Sequence, residues 1–230
     1  QSGQFLTSVR THYGPGSSTE LRRYPFGHRF QHVRQGPHIG TTALGHIRLA
    51  AALTAQTLSE LTHEFADAIA ASPIGASHLY TLLRPGRAAV GLGIWSRRPL
   101  RETEQITGTT MTLAAAIAVE GRTMRVVLSH PLPPLFNEAH WTSEIAAITD
   151  DDPASLADTA LVADTNVSYF HPPYRRFLDR AGLTDVHHEL GKGLSFSWPT
   201  DESVPPFVRL DHALVGANVT ATAIEDFDMP

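Results

Sequence analysis

The sequence contains no cysteine and a single lysine, Lys192. Without cysteine there are no disulfides, no thiolate nucleophile and no cysteine-bound zinc. It also lacks an uninterrupted apolar run long enough to cross a bilayer. Apolar residues make up 42% and charged residues 18% of its 230 residues, a composition typical of a globular protein. That length suits one substantial domain.

Charge is unevenly distributed along the chain. Residues 1–50 hold six arginines and one acidic residue, Glu20, whereas the remaining residues hold twelve basic and 22 acidic ones. The formal net charge of -5 argues against a tight, sequence-independent grip on a nucleic-acid backbone.

Residues 10–50 show neither a helical nor a strand period, because Gly, Pro, His and Arg are scattered through them. They are interpreted as a long surface loop, as a basic arm, or as sequence that selection did not shape. The chain is therefore predicted to be one domain over 1–230, with an atypical segment at 1–50. Because it starts at Gln1, we expect that the natural start is missing, together with any leader or membrane anchor.

From Leu49 onward the sequence predicts regular elements. Residues 49–72 have helix-forming composition, with apolar side chains at Leu58, Leu61, Phe65 and Ile69. The first part of this stretch is alternatively a short strand that leads into the helix. Further helices are predicted at 140–151 and 172–182, and strands at 88–100, 111–119, 122–130, 159–166, 207–216 and 220–228. This alternation indicates a mixed α and β class with antiparallel pairs.

Polar clusters lie where several of these apolar strands end. His130 follows one strand, Asp164 and Asn166 end another, and Asp211 and His212 lie in a third. Glu60 lies in the first helical stretch. Side chains at strand ends are well placed to form a site on a rigid scaffold.

Asp164 and Asn166 are two residues apart, which on an extended segment places both side chains on the same side. A carboxylate there can orient or deprotonate an attacking water, and the amide can donate to a phosphate oxygen. The alternative is an Asx-turn that ends the strand, and for this tripeptide alone the turn is the more common outcome.

His130 and Asp211 are the other candidates. His130 precedes a proline, which restricts its backbone, and an imidazole there can hold a phosphoryl oxygen or assist a leaving group. A single histidine is, however, more often structural. Asp211 stands among apolar residues and must be paired or lie at a rim. His212 points to the opposite face of the strand and is not expected to be its partner.

Seven motifs in order resemble the endonuclease/exonuclease/phosphatase superfamily, which has the deoxyribonuclease-I-like fold. They are Ser-Glu-Leu at 59–61, GLGIWSRRPL at 91–100, VVLSHPLPP at 126–134, LVADTNVS at 161–168, AGLTDV at 181–186, FSWP at 196–199 and VRLDHALV at 208–215. Within the superfamily the sequence is most similar to bacterial teicoplanin-resistance-type members, whose catalytic domain faces outward. The resemblance implies an α/β (α+β) fold: a four-layer αββα sandwich with two packed mixed sheets.

The resemblance also implies roles for individual residues. Glu60 would ligate Mg²⁺ or Mn²⁺, Asp164 would activate the water, and Asn166 would bind the phosphate. His130 would contact the phosphoryl group, and Asp211 would orient a histidine near the C-terminus. The implied activity is metal-dependent hydrolysis of a phosphoester, either a small-molecule or lipid-linked phosphoester or a nucleic acid. The implied location is extracytoplasmic, secreted or membrane-anchored.

The sequence departs from the family pattern at several positions. Ser8 stands where the first strand should carry Asn, Ser59 stands where Gln should precede Glu60, and Gly-Asp-Phe-Asn has become Ala-Asp-Thr-Asn at 163–166. The closing Ser-Asp-His motif does not occur before Pro230. Truncation and degeneration both account for this. A catalytically impaired binding domain on the same fold is therefore the alternative to an enzyme.

Overall fold

Two β-sheets with flanking helices are formed by the residues that the structure describes. This computed structural model describes residues 4–12, 46–50, 55–87, 90–106, 109, 111–119, 121–149, 153–199, 204–225 and 228–229. The strands are β1 (Gln4–His12), β2 (His46–Ala50), β3 (Ala55–Ser59), β4 (Tyr80–Arg84), β5 (Leu92–Ser96), β6 (Leu100–Gln105), β7 (Thr112–Val119), β8 (Arg122–Ser129), β9 (Thr159–Asp164), β10 (Thr184–Asp185), β11 (Asp211–Val215), β12 (Thr220–Glu225) and β13 (Asp228–Met229). The helices are α1 (His63–Ala70), α2 (Pro73–Ser77), α3 (Glu138–Thr149), α4 (Pro172–Ala181) and α5 (Val186–Glu189), with a 3₁₀ turn at Pro153–Leu156.

The first sheet has the strand order β12-β1-β2-β3-β5-β4, and β13 pairs with β1. The pair β1–β2 is parallel and the other pairs are antiparallel. The interpretation of 10–50 as loop or arm is wrong for residues 10–12 and for β2, because pairing with neighbouring strands makes these segments extended without a side-chain period. Residues 13–45 lie outside the described part of the chain.

The second sheet has the strand order β10-β11-β9-β8-β7-β6. Its pair β8–β9 is parallel, and the other pairs are antiparallel. The predicted hairpin is confirmed, since β7 and β8 pair from Thr112↔Ser129 to Val119↔Arg122. Both sheets are therefore mixed.

Three apolar cores separate four layers. One core lies between the sheets and draws on β3, β4 and β5 from the first and on β7, β8, β9 and β11 from the second. A second core packs α3 and α4 on the outer face of the second sheet. A third core packs α1 on the outer face of the first sheet. This arrangement confirms the predicted αββα sandwich.

The predicted helix over 49–72 is wrong in its first half, where the alternative, a short strand leading into a helix, is confirmed. Residues 55–59 form β3, because they pair with β2 and β5. The helix α1 begins only after Thr62, whose side chain accepts the N–H of Phe65. Ser72 caps the next helix, α2, so Ser72-Pro73 starts an element rather than only ending one.

The helices α3 and α4 are confirmed. Trp141, Ile145 and Ile148 are the buried face of α3, as their spacing predicts. Gly182 ends α4 in the left-handed conformation, with φ of 60°. Among the described helices, none is both long and apolar enough to span a membrane.

Candidate active site

Three of the predicted site residues meet at one edge of the second sheet because of strand register. The antiparallel pair β9–β11 places Asp211 directly opposite Asp164. The parallel pair β8–β9 places Ser129 beside Ala163, so that His130, the next residue, follows alongside Asp164. His130, Asp164 and Asp211 therefore converge although they are distant in sequence.

These three side chains also point to the same face of the sheet. Side chains alternate between the two faces of a strand, so residues two apart share a face. Each site residue has a neighbour two positions away on its own strand that lies in the core between the sheets. These neighbours are Leu128 for His130, Val162 for Asp164 and Ala213 for Asp211. His130, Asp164 and Asp211 thus lie on the face of the second sheet that is turned toward the first sheet, at the end of that face.

His130 and Asp164 are in direct electrostatic contact. The Nε2 atom of His130 lies 3.6 Å from Oδ2 of Asp164, and both side chains are at least nine-tenths buried. The His130 backbone N–H donates to the carbonyl oxygen of Met111 at 2.9 Å, which anchors this residue beyond the end of β8. An imidazole and a carboxyl this close together can hold and exchange a proton.

Asn166 is brought beside Asp164 by an Asx-turn, not by an extended strand. Its backbone N–H donates to Oδ1 of Asp164 at 3.0 Å, and its φ is 56°. The extended geometry predicted for these two residues is therefore wrong, and the alternative turn is correct. The Asn166 amide Nδ2 donates to the carbonyl oxygen of Pro131 at 3.0 Å, which ties this turn to the loop after His130.

Burial disfavours the ionised forms of both carboxyls. Burial raises the pKa of Asp164 to about 6, although the Asn166 N–H bond and the charge of His212 oppose the shift. Burial, followed by the neighbouring charge of Asp164, raises the pKa of Asp211 to about 7, against the opposing effects of Ser197, Arg209 and His212. Two facing carboxyls do not ionise together easily, so the pair can accept a proton near neutral pH.

Ser197 and Arg209 support Asp211, and the sequence reasoning did not select either of them. The Ser197 hydroxyl accepts the backbone N–H groups of Leu210 at 3.0 Å and Asp211 at 3.3 Å. The guanidinium of Arg209 is buried and donates from Nε to the carbonyl oxygen of Ser195 at 2.8 Å. A signal was available, since both residues lie within the FSWP and VRLDHALV motifs.

Glu144 is a second residue that sequence reasoning missed. Its carboxylate is buried, and Oε2 accepts the backbone N–H of Leu132 at 3.2 Å. It thereby holds the loop that follows His130. The available signal was its position on the apolar face of α3, beside Trp141 and Ile145, where a carboxylate needs a partner.

Glu60 lies in the other sheet, directly after β3. It is 8% exposed, and its φ of 59° is uncommon for a residue with a side chain. The next residue, Leu61, donates to the carbonyl oxygen of Gly91 at 2.9 Å, and a Cβ on Gly91 would lie 1.7 Å from the Leu61 oxygen. Glycine at 91 therefore permits the turn that fixes the backbone of Glu60. The preceding strand, β3, contacts β8 and β9 across the core.

The described side chains supply only part of a metal site. Carboxylate and amide oxygens are the ligands that Mg²⁺ prefers, and Oδ1 of Asp211 is buried without a hydrogen-bond partner among the described residues. The chemistry of the donors therefore fits. Their number does not, since no three His, Asp or Glu side chains in that part of the chain are grouped to hold an ion. A ligand role for Glu60 stays a prediction.

The opposite face of β11 carries a different polar group. His212 is fully buried; its Nδ1 lies 2.7 Å from Oδ2 of Asp185, and its Nε2 lies 3.0 Å from the carbonyl oxygen of Val167. The Tyr174 hydroxyl donates to the same Asp185 oxygen at 2.9 Å. As its strand position predicts, His212 is not the partner of Asp211.

His212 lies between two oxygen atoms, Oδ2 of Asp185 and the carbonyl oxygen of Val167. Burial alone would raise the pKa of Asp185, but the hydrogen bond and charge of His212 outweigh it and lower that pKa to about 2. This ion pair, on the helix side of the sheet, also holds the backbone at Val167, directly after Asn166.

Sequence comparison decides the family. A sequence model of the Endonuclease/Exonuclease/phosphatase family matches residues 29–230. The chain belongs to this family. The family's name covers enzymes that hydrolyse phosphoester bonds, and the converging residues lie in the motifs that carried the resemblance.

Solved structures share the family's fold at low sequence identity. TDP2 of D. rerio, complexed with a single-strand DNA product, is 19% identical, with a TM-score of 0.56, over 76% of this chain and 71% of that one. The human Nocturnin catalytic domain with bound sulfate is 15% identical, with a TM-score of 0.53, over 70% and 68%. A Staphylococcus aureus beta toxin variant with bound magnesium ions is 14% identical, with a TM-score of 0.53, over 72% and 71%.

These likenesses establish the fold and no more, because the identities are low. No curated protein matches the sequence. Family membership makes phosphoester hydrolysis the activity class of the relatives, and the chemistry of this chain must be argued from its own residues.

Proposed function

We propose that the chain hydrolyses a phosphoester bond by direct attack of water, with Asp164 as the base. The observation that carries this proposal is the convergence of His130, Asp164 and Asp211 at one edge of the second sheet. A base works best when its pKa lies near the working pH, and burial raises that of Asp164 to about 6.

Each residue has a separate role in this proposal. Asp164 orients the water and takes its proton. Asn166 uses one amide N–H to hold the Pro131 carbonyl, and its second N–H remains to donate to a phosphate oxygen. His130 contacts the phosphoryl group from beside Asp164, and Asp211 holds the second carboxyl of the pair.

The reaction balances as a single displacement. The water oxygen forms a bond to phosphorus, and the bond from phosphorus to the leaving oxygen breaks. The water proton passes to Asp164. The leaving oxygen takes a proton from His130 or, when it is as acidic as nitrophenol, departs as the anion.

Mg²⁺ or Mn²⁺, with Glu60 as one ligand, is the cofactor that we propose. A bound divalent cation would neutralise charge that develops on the phosphate. This assignment is supported by family membership and by the carboxyl and amide oxygens that the candidate site offers as ligands. It also agrees with the magnesium ions of the beta toxin structure.

The test is hydrolysis of bis(p-nitrophenyl) phosphate, followed at 405 nm (roughly the nitrophenolate maximum), with EDTA, MgCl₂ or MnCl₂. We expect turnover that requires metal and falls on the acid side of about pH 6, the pKa of Asp164. Asp164→Asn is expected to lower kcat by roughly 10²-fold or more, because general-base catalysis contributes that much. Its melting temperature should change little.

The matched control is Asp158→Asn. Asp158 pairs with Arg122 at the surface, in an ion pair whose two side chains are 38% and 48% exposed, so this change should leave kcat unaltered. Equal turnover of Asp164→Asn and the natural protein would remove Asp164 from the mechanism. No turnover above buffer with either metal would reject hydrolysis.

The second candidate function is binding of a phosphoester without cleavage. It is favoured by the absence of a three-ligand metal group among the described residues. If this protein shows no turnover but its melting temperature rises with inorganic phosphate, that result would support this alternative.

We propose an extracytoplasmic location, whether secreted or membrane-anchored, and a teicoplanin-resistance-type relationship within the family. Both rest on motif similarity and on the absence of cysteine, which suits an oxidising compartment. Fractionation of the native cell, probed with an antibody to this chain, tests the location.

A further inference from the structure

Large apolar side chains are exposed on three loops that leave the candidate-site edge of the second sheet. The loop after β8 exposes Leu135 (91%) and Phe136 (78%), and the loop after β9 exposes Phe170 (69%). The segment before β11 exposes a larger set: Leu194, Phe196, Trp198, Val204 and Phe207. These side chains, together with Leu132, are called the apolar rim.

Hydrogen bonds tie the three loops to each other and to the site. The amide of Asn166, on the second loop, donates to Pro131 on the first at 3.0 Å. The backbone N–H of Thr165 donates to Leu210, just before β11, at 2.9 Å. The apolar rim is therefore a surface around the candidate site and not a set of unrelated positions.

The rim is held in place rather than loosely displayed. A turn closed by the Phe136 N–H and the Pro133 carbonyl, 3.1 Å apart, puts Leu135 at its tip and fixes the backbone of Phe136. The rings of Trp198 and Phe207 meet edge to face, with centroids 5.8 Å apart. Preformed apolar tips lose little entropy when they insert into another phase.

Charge around the rim has a definite pattern. Two of the three segments, residues 131–137 and 165–170, contain no Asp, Glu, Lys or Arg, whereas the third contains Asp201 and Glu202 between Trp198 and Val204. Immediately beyond Phe170, the first turns of α4 present Arg175 and Arg176 to solvent. Two uncharged apolar loops flanked by these arginines are complementary to a bilayer with anionic headgroups.

We propose that the apolar rim docks this protein on an anionic lipid surface, so that the candidate site meets phosphoesters carried by lipids. This inference rests on the proposed function for its substrate, but the docking itself does not depend on turnover. Aromatic side chains also stack on nucleobases, but Leu132, Leu135, Leu194 and Val204 offer no ring for stacking.

The test is flotation of the full chain with phosphatidylcholine vesicles, with or without phosphatidylglycerol. Leu135→Ser combined with Phe136→Ser is expected to weaken partitioning by roughly tenfold or more, because two exposed side chains lose their apolar contact with lipid. Since both are exposed, the double variant should keep the melting temperature of the parent. Arg175→Gln with Arg176→Gln should remove the preference for phosphatidylglycerol.

The matched control is Leu79→Ser. Leu79 is 75% exposed but precedes β4 at the end of the first sheet that is distant from Glu60. Equal losses in the control and the rim variant would overturn the proposal, as would the absence of vesicle binding. Two further results would overturn it: a rim-dependent dimer in analytical ultracentrifugation without vesicle binding, or rim-dependent binding of a single-stranded oligonucleotide that exceeds vesicle binding. Vesicle binding without turnover of bis(p-nitrophenyl) phosphate would keep the docking and reject the hydrolysis.

Discussion

Asp211 and His212 are neighbours on one strand, yet the polar groups on the two faces of that strand differ in their hydrogen bonding and in the direction of their pKa shifts. On the inter-sheet face, Asp211 lies opposite Asp164, one of its oxygens lacks a hydrogen-bond partner among the described residues, and burial raises its pKa to about 7. On the helix face, both nitrogens of His212 are bonded, and the pKa of Asp185 falls to about 2.

The contrast distinguishes a group that holds the fold from a group available for chemistry. A buried ion pair with all its hydrogen bonds made resists change in protonation, so it can serve as a fixed support. Two carboxyls placed face to face can still bind a proton or a cation. The three predictions below test each side of this comparison, from the largest expected effect to the smallest.

Asp185→Ala should break the support on the helix face. It removes the buried carboxylate that lies 2.7 Å from Nδ1 of His212 and that accepts the His188 N–H at the start of α5. We expect a loss of about 3–5 kcal/mol in the free energy of unfolding, measured by urea denaturation. Asp185→Asn, which keeps an acceptor, should lose less; equal small losses in both variants would contradict the ion pair.

Asp211→Asn should instead stabilise the protein at about pH 8. The folded pKa of about 7 exceeds the ordinary 3.8, so the folded state binds more protons than the unfolded state between these values. This carboxyl therefore makes stability fall as the pH rises through that window. Asparagine cannot ionise, and we expect a gain of about 1–3 kcal/mol at pH 8.

The gain from Asp211→Asn should shrink at about pH 5, where the natural carboxyl is already protonated. Thermal denaturation of both proteins at the two pH values measures the difference. A destabilised variant at pH 8 would mean that Asp211 is paired as an ion.

Tyr174→Phe should have the smallest effect. The tyrosine hydroxyl is one of several donors to Asp185, and its loss leaves the ion pair with His212 intact. We expect a decrease of about 1 kcal/mol in the free energy of unfolding, with no change in phosphoester turnover. A larger decrease than that of Asp185→Asn would show that the hydroxyl, and not the ion pair, carries the stability.

Local patterns predicted those elements whose burial is one-sided or continuous. The face of α3 formed by Trp141, Ile145 and Ile148 and the buried run of β9 follow directly from side-chain period. Asp211 stood out for the same reason, since a carboxylate among apolar residues demands an explanation. The family's ordered motifs then led to residues that the structure brings together.

What the sequence could not supply depends on partners distant along the chain. Nothing near His212 shows that it pairs with Asp185, 27 residues away, because strand register creates that contact. The interval between Asp164 and Asn166 was compatible with an extended strand and with an Asx-turn, and the hydrogen bonds of the folded chain form the turn. Residues 10–12 and the strand β2 carried no readable period, although both pair with neighbouring strands.

The alternation of faces along β11 makes this strand sensitive to the parity of any insertion or deletion. One residue added or lost between Asp211 and Val215 would turn a histidine toward the candidate site and a carboxyl toward the helices. Homologous chains should therefore vary hardly at all in the length of this five-residue strand.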